Sequence, residues 1–171
     1  MNAETLNQVT TAAADQLSAK QADLAETSRC AQAEREARLK AEQNAPPVDY
    51  SARILSSGLP ETPDHREIDP ATGQQKDYII LTPAERAKGF IRPVRRSYVH
   101  VGKPPDGMGF EYPITRTFPG GCGTRTTMSL SIAETYARCP DFFSGTFCCT
   151  CGKHLPLNEF VWEGTNEQVG S

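Results

Sequence analysis

Long apolar runs are missing from this sequence. Nowhere do about 18 apolar residues follow one another, which excludes a membrane-spanning helix and gives no reason to expect a membrane partner. Apolar residues are scarce overall, at 37% of 171, and aromatic ones make up 8%. Glycine and proline are frequent instead, with 13 of each. The core must therefore be small and much of the chain loop, and a small core gives a physical motive for a metal staple. The opening Met1–Thr10 is polar, with no basic start followed by an apolar stretch, and predicts no secretory signal. In a reducing cytoplasm disulfides are rare, so the six cysteines are expected as metal ligands or free thiols. A nucleophile elbow, a phosphate-binding glycine loop and an H-E-x-x-H pair are also lacking, which removes the commonest hydrolase and nucleotidase signatures.

What is present falls into four stretches. Residues 1–45 are dominated by one polar helix over 3–44, rich in Ala, Glu, Gln, Lys and Arg, without Gly or Pro, and stopped by Pro46 and Pro47. Its apolar row is thin: Leu17 and Leu24 stand a heptad apart, but Thr10 and Arg38 share the row. Such a helix is either simply solvated or a surface for self-association or docking. Residues 46–76, punctuated by Pro60, Pro63, Pro70 and Gly73, read as a linker, and the polar residues 164–171 as a disordered tail.

Residues 77–163 read as the folded domain. Strands are expected at Tyr78–Leu81, Ser97–Val101, Phe110–Thr115, Phe142–Phe147 and Glu159–Trp162. Thr82-Pro83-Ala84-Glu85 carries the signals of a short helix ending near Gly89. A second helix is expected over Thr127–Arg138, capped by Thr126 or Thr127, with Met128, Ile132 and Tyr136 on one face. The fold class is thus α+β: a small zinc-stabilised domain, with a β-hairpin knuckle packed on a short helix, behind a long helix and a Pro/Gly-rich linker.

The segment Cys148-Cys149-Thr150-Cys151-Gly152-Lys153-His154 is the most informative in the chain. Two thiolates in C-x-x-C spacing bite one tetrahedral ion when the backbone turns between them, and Gly152 permits that turn. Lys153 favours thiolates electrostatically, and His154 adds an imidazole, a ligand set suited to Zn²⁺ over Mg²⁺ or Ca²⁺. A fourth ligand must come from elsewhere. Cys122, in the turn Gly120-Gly121-Cys122-Gly123, is the first choice and Cys139 its rival. Four protein ligands leave no open position, so the one zinc ion is expected to be structural. Cys30 and Cys149 are expected to be plain thiols, and His100, with no acidic neighbour in sequence, an ordinary half-exposed histidine.

Between residues 86 and 125 stand eight basic and two acidic side chains, although the whole chain has a net charge of −3. Within that window Arg92, Arg95, Arg96, Tyr98 and Lys103 mix cations with an aromatic ring, a composition that suits phosphate contact with base stacking. The same charges can instead dock on acidic residues, within the chain or on a partner. A deaminase reading starts from His65-Arg66-Glu67 and Cys148-x-x-Cys151, but the first motif lies in linker-like sequence and Phe147 replaces the proline before the cysteines.

The runs Gly121-Cys122-Gly123-Thr124, Ile132-Ala133-Glu134-Thr135-Tyr136-Ala137-Arg138, Thr146-Phe147-Cys148, His154-Leu155-Pro156 and Glu159-Phe160-Val161-Trp162, with Phe90–His100 before them, resemble uncharacterised small zinc-site proteins of tailed bacteriophages and prophages. The resemblance covers about half the chain, without the N-terminal helix. It implies Cys122, Cys148, Cys151 and His154 as the metal set and a bacterial host cytoplasm, and it brings no activity with it. The expectation is a non-enzymatic interaction module contacting a host or phage protein, or nucleic acid, through its basic surface. The alternatives are a virion or assembly component docking through the helix and, more remotely, a zinc-dependent nucleobase deaminase.

Overall fold

A computed structural model describes residues 3–171, with side chains from residue 16 onward. The chain divides into two compact units, one ending at Asn44 and one covering Ala45–Ser171. The first is a single helix, α1, Ala3–Asn44, of 42 residues and about 63 Å. From residue 16 on its side chains are exposed except for half-buried Arg38, and Leu17, Leu24 and Leu39 all face water. With no buried apolar face among the described side chains, helix propensity is what favours it there. The Thr10 side chain lies outside the described residues.

The second unit holds seven short strands, two helices and one 3₁₀ turn. Strand β1 (Arg53–Leu55) pairs antiparallel with β2 (Ile79–Leu81). Helix α2 (Pro83–Arg86) follows, with the Thr82 hydroxyl accepting from the Glu85 N–H and proline at the start of the helix. Strand β3 (Ser97–His100) is the centre of a three-stranded sheet, flanked by β4 (Arg125–Thr127) and β7 (Phe160–Trp162). Between them in sequence come α3 (Leu130–Arg138), the hairpin β5 (Gly145–Cys148) and β6 (Lys153–Pro156), and a 3₁₀ turn at Leu157–Glu159.

The core gathers Tyr98 of β3, Met128, Ala133 and Tyr136 around α3, Cys148 of β5, Phe160 and Trp162 of β7, and Val169. Edge-to-face rings of Tyr98, Phe160, Tyr136 and Trp162 interlock there. A second tie is ionic. Arg138 and Glu85 are each 1% exposed and meet at 2.9 Å, and the Arg138 guanidinium also donates to the carbonyls of Pro46 and Pro47. Glu85 further accepts from Lys88 and from the Asp49 N–H.

Several expectations are corrected. The stretch 46–76 is not a bare linker: β1 lies within it, Leu55 is buried, and Ile68 bridges to Gln75. Within it β1 pairs with the later strand β2, and Pro70 lies in the turn between bridged Ile68 and Gln75. The tail is not loose either. Val169 is fully buried, its N–H donates to the Phe160 carbonyl, and the Glu167 carbonyl accepts from Trp162, so the tail covers the open edge of β7. Thr126 and Thr127 lie in β4, where β-branched residues fit a pleated surface, and Ser129 caps α3 instead, its hydroxyl accepting from the Ile132 N–H. Phe110–Thr115 forms no strand, since Pro113 in its middle has no N–H for a ladder.

Candidate metal centre

The turn between β5 and β6 brings Cys148 and Cys151 together. The Gly152 N–H donates to the Cys148 carbonyl at 2.9 Å, closing the loop. Cys122 arrives from a separate loop pinned to the end of β3 by two backbone bonds, Gly123 N–H to the His100 carbonyl and His100 N–H to the Thr124 carbonyl. Gly121 is required there because a Cβ would stand 2.3 Å from the Val101 carbonyl carbon. This pairing sets Cys122 beside His100.

The result is one group, His100, Cys122, Cys148 and Cys151, with ligand atoms all within 4.8 Å of one another, and it can hold a metal ion. Cys122 Sγ lies 3.5 Å from Cys148 Sγ, too far for a disulfide. His100 Nδ1 lies 3.4 Å from Cys122 Sγ and 3.4 Å from Cys151 Sγ. The other ring nitrogen, Nε2, stands 3.1 Å from Glu159 Oε2, and the imidazole stacks on Phe160. His100 is 1% exposed, not half-exposed. Burial raises the Cys122 thiol pKa, but hydrogen bonds from Thr124, His100 and Cys148 outweigh it and bring it down to about 6. Burial, then hydrogen bonds with Cys148 and Cys122, pushes Cys151 up to about 12.

The structure does not bring His154 into this group. Successive strand residues point to opposite faces, and directly paired residues share a face. Cys148 pairs with Lys153, and Phe147 with His154. His154 therefore takes the face of Phe147, opposite Cys148, where its ring packs on Phe147 and Tyr78 and its Nε2 lies 3.1 Å from the Tyr78 hydroxyl. Burial there lowers the imidazole pKa.

Of the other cysteines, Cys139 is buried beside the Tyr50 hydroxyl and Asp141, its thiol raised to about 11 chiefly by burial. Cys149 is exposed and bonded to the Thr126 hydroxyl, and Cys30 is exposed on α1. His65 and Glu67 are also apart from the metal group. The His65 Nδ1 faces the Thr62 carbonyl, its Nε2 accepts from Arg66, and Glu67 pairs with Lys76.

The basic stretch is largely engaged within the chain. Arg86 pairs with Glu134, Arg95 with Glu167 and Arg125 with Glu163, while Arg96 donates to the Met128 carbonyl and Arg92 to that of Ile91. Tyr98 is a core residue whose hydroxyl donates to the Phe147 carbonyl at 2.6 Å, so it offers no face for stacking. Lys103 stays at the surface, 3.9 Å from Asp106.

His100 and Glu159 are the two residues the sequence does not point to, because Glu159 lies 59 positions from the histidine it touches. No known family model matches the chain, and neither curated proteins nor solved structures give a match. Among the described residues no helix is long and apolar enough to cross a membrane.

Proposed function

We propose that Cys122, Cys148, Cys151 and His100 hold one structural zinc ion, and that the domain built on it is a non-enzymatic, phage-type interaction module of a bacterial host cytoplasm. The observation that carries the metal reading is the orientation of His100, with Nδ1 turned to the sulfurs and Nε2 to a carboxylate. Metal-bound histidines are commonly held this way, the carboxylate fixing tautomer and ring angle. Zinc–sulfur bonds of about 2.3 Å and zinc–nitrogen bonds of about 2.0 Å give tetrahedral edges of about 3.5–3.8 Å. The separations of 3.4 and 3.5 Å lie close to that. Three thiolates and one imidazole favour zinc over the hard cations. Four protein ligands leave no open position, which supports stabilisation over catalysis and weighs against the deaminase alternative.

The internal pairing of Arg86, Arg95 and Arg125 favours a protein partner, of host or phage, over nucleic acid along the basic stretch. A virion or assembly role is the second reading. It is supported by α1, whose described side chains, apart from half-buried Arg38, face water and are available for docking or self-association. Elemental analysis of the purified chain tests the metal reading: one zinc per chain is expected, with chelation collapsing the melting transition. A zinc-free protein with an unchanged melting curve would overturn it. Affinity capture with and without nuclease tests the partner: retention after nuclease supports protein, and loss would favour nucleic acid.

A further inference from the structure

On the side of the molecule where His154 and Tyr78 meet, the chain forms an open cleft of about 310 Å³, near the lower end of ligand-pocket volumes. Its lining contains no carboxylate, in a chain with 21 acidic residues. It contains two guanidinium groups, those of Arg53 and Arg66, and a wall of half-exposed aromatic rings.

Arg66 is aimed by its neighbour. With Nδ1 of His65 given to the Thr62 carbonyl, the buried imidazole has Nε2 left to accept from Arg66 Nε at 3.2 Å. That fixes the root of the guanidinium and leaves its terminal nitrogens for a ligand, and no carboxylate pairs with Arg66 among the described residues. Arg53 is bound to Glu61 at 3.1 Å, but both side chains are well exposed. Such a surface pair is worth little and yields readily to a stronger anion. Two carboxylates stand beside the site: Glu61, on Arg53, and Asp141, next to the Tyr50 hydroxyl.

The aromatic wall has a matching character. Tyr50 and Phe142 lie parallel, 9° apart in plane with centroids 6.3 Å apart, and Phe143 is braced from behind by core Tyr136. Adjacent phenylalanines left half-exposed beside two arginines suit a flat ring that carries an anion. The Tyr78–His154 pair adds a hydroxyl and an imidazole able to bond polar ring edges or sugar hydroxyls.

We propose that this cleft is a nucleotide site, with phosphate taken by Arg53 and Arg66 and the base by Tyr50 and Phe142. The inference goes beyond the interaction-module reading and does not depend on it. The same chemistry is offered by a free nucleoside monophosphate and by the phosphorylated end of a single strand, and the test separates them.

Isothermal titration of the full chain would use the four ribonucleoside 5′-monophosphates, adenosine, inorganic phosphate and a 5′-phosphorylated tetraadenylate, with zinc content measured on each sample. At least one monophosphate should bind at sub-millimolar concentration and ten times or more tighter than adenosine or phosphate. Arg66→Gln should weaken it about tenfold or more, by loss of a charge-assisted bond, and Phe142→Ala comparably, with melting temperatures unchanged. If either variant folds poorly, exposed Arg53→Gln gives the same comparison. A tetraadenylate bound tighter than the monophosphate identifies a strand end; equal affinity identifies the free nucleotide. No binding of any of these probes at millimolar concentration, or variants that bind as the parent does, would overturn the site while leaving a measured zinc ion in place.

Discussion

The imidazole of His100 and the carboxylate of Glu159 meet at 3.1 Å, joining the end of β3 to the 3₁₀ turn before β7. Adjoining backbone bonds fix the same join, since the Val101 and Gly102 N–H groups both donate to the Glu159 carbonyl. Glu159 thus holds the strand with its main chain and the ring with its side chain.

Glu159→Gln should keep the fold and loosen the metal. The amide is nearly isosteric, but it loses the charge that strengthens the histidine as a ligand. A drop of about 10–100-fold in zinc affinity is expected, read by competition with a chromophoric chelator. An unchanged affinity would remove Glu159 from the metal's support.

His100→Ala and His154→Ala separate the two histidines. The first should lose stoichiometric zinc and with it most of the cooperative transition, since such sites supply on the order of 10 kcal/mol. The second should keep its zinc and lose about 1 kcal/mol from the Tyr78 contact. Metal content beside a thermal scan gives the answer, and the reverse pattern would restore the C-x-x-C-x-x-H set.

The contrast between these histidines shows how far the sequence could be read. Spacing alone exposed the C-x-x-C turn, because Cys148, Cys151 and Gly152 are local and their geometry is set by one tight bend. Cys122 was legible from its glycines, which mark a loop brought close to another backbone. His154 was misplaced by a single register step: the pairing Phe147–His154 turns it away, and which residue of a short hairpin faces inward depends on packing that no motif records. His100 was illegible because its partners come from the loop around 122, the knuckle and residue 159. The long helix and the Thr82 cap are plain from local chemistry; of the expected face Met128, Ile132 and Tyr136, only the last two lie on α3, and Met128 reaches the core from just before its cap. The burial of Val169 was not legible, since one valine in a polar stretch carries no pattern.

Acid should unfold the domain partly through Glu85. Its hydrogen bond with Lys88, reinforced by Arg138 and opposed by burial, holds its carboxyl below the ordinary value of 4.5. A depressed folded pKa contributes stability that is present above about pH 4.5 and is lost as pH falls through the lower folded value. Glu85→Gln should flatten that acid limb and cost about 3–5 kcal/mol at neutral pH, because Arg138 stays buried without its counter-charge. Urea titrations at pH 7 and pH 4 check both.

Gly73→Ala should destabilise the turn between β5 and β6 from a distance. The backbone at Gly73 has φ +71°, and a Cβ would fall 2.2 Å from the Gly152 carbonyl oxygen, so residues around 73 or that turn must move. About 1–3 kcal/mol is expected from this clash with left-handed backbone. An alanine variant as stable as the parent would mean that the contact yields freely.

Removing the last seven residues, 165–171, should cost about 2 kcal/mol or more, since Val169 leaves the core and β7 loses its edge partner. A melting curve unmoved by the truncation would show the tail to be passive.

The candidate metal residues His100 and Cys122 flank an excursion of the chain whose base is already knotted by Phe118 N–H to the Val101 carbonyl and Gly121 N–H to the Phe118 carbonyl. Because ring-closure entropy grows only as the logarithm of length, the tip around Asp106–Gly109 is free to lengthen at small energetic cost. Evolution, or an engineer, can graft new segments there without disturbing the clasp that holds the stem.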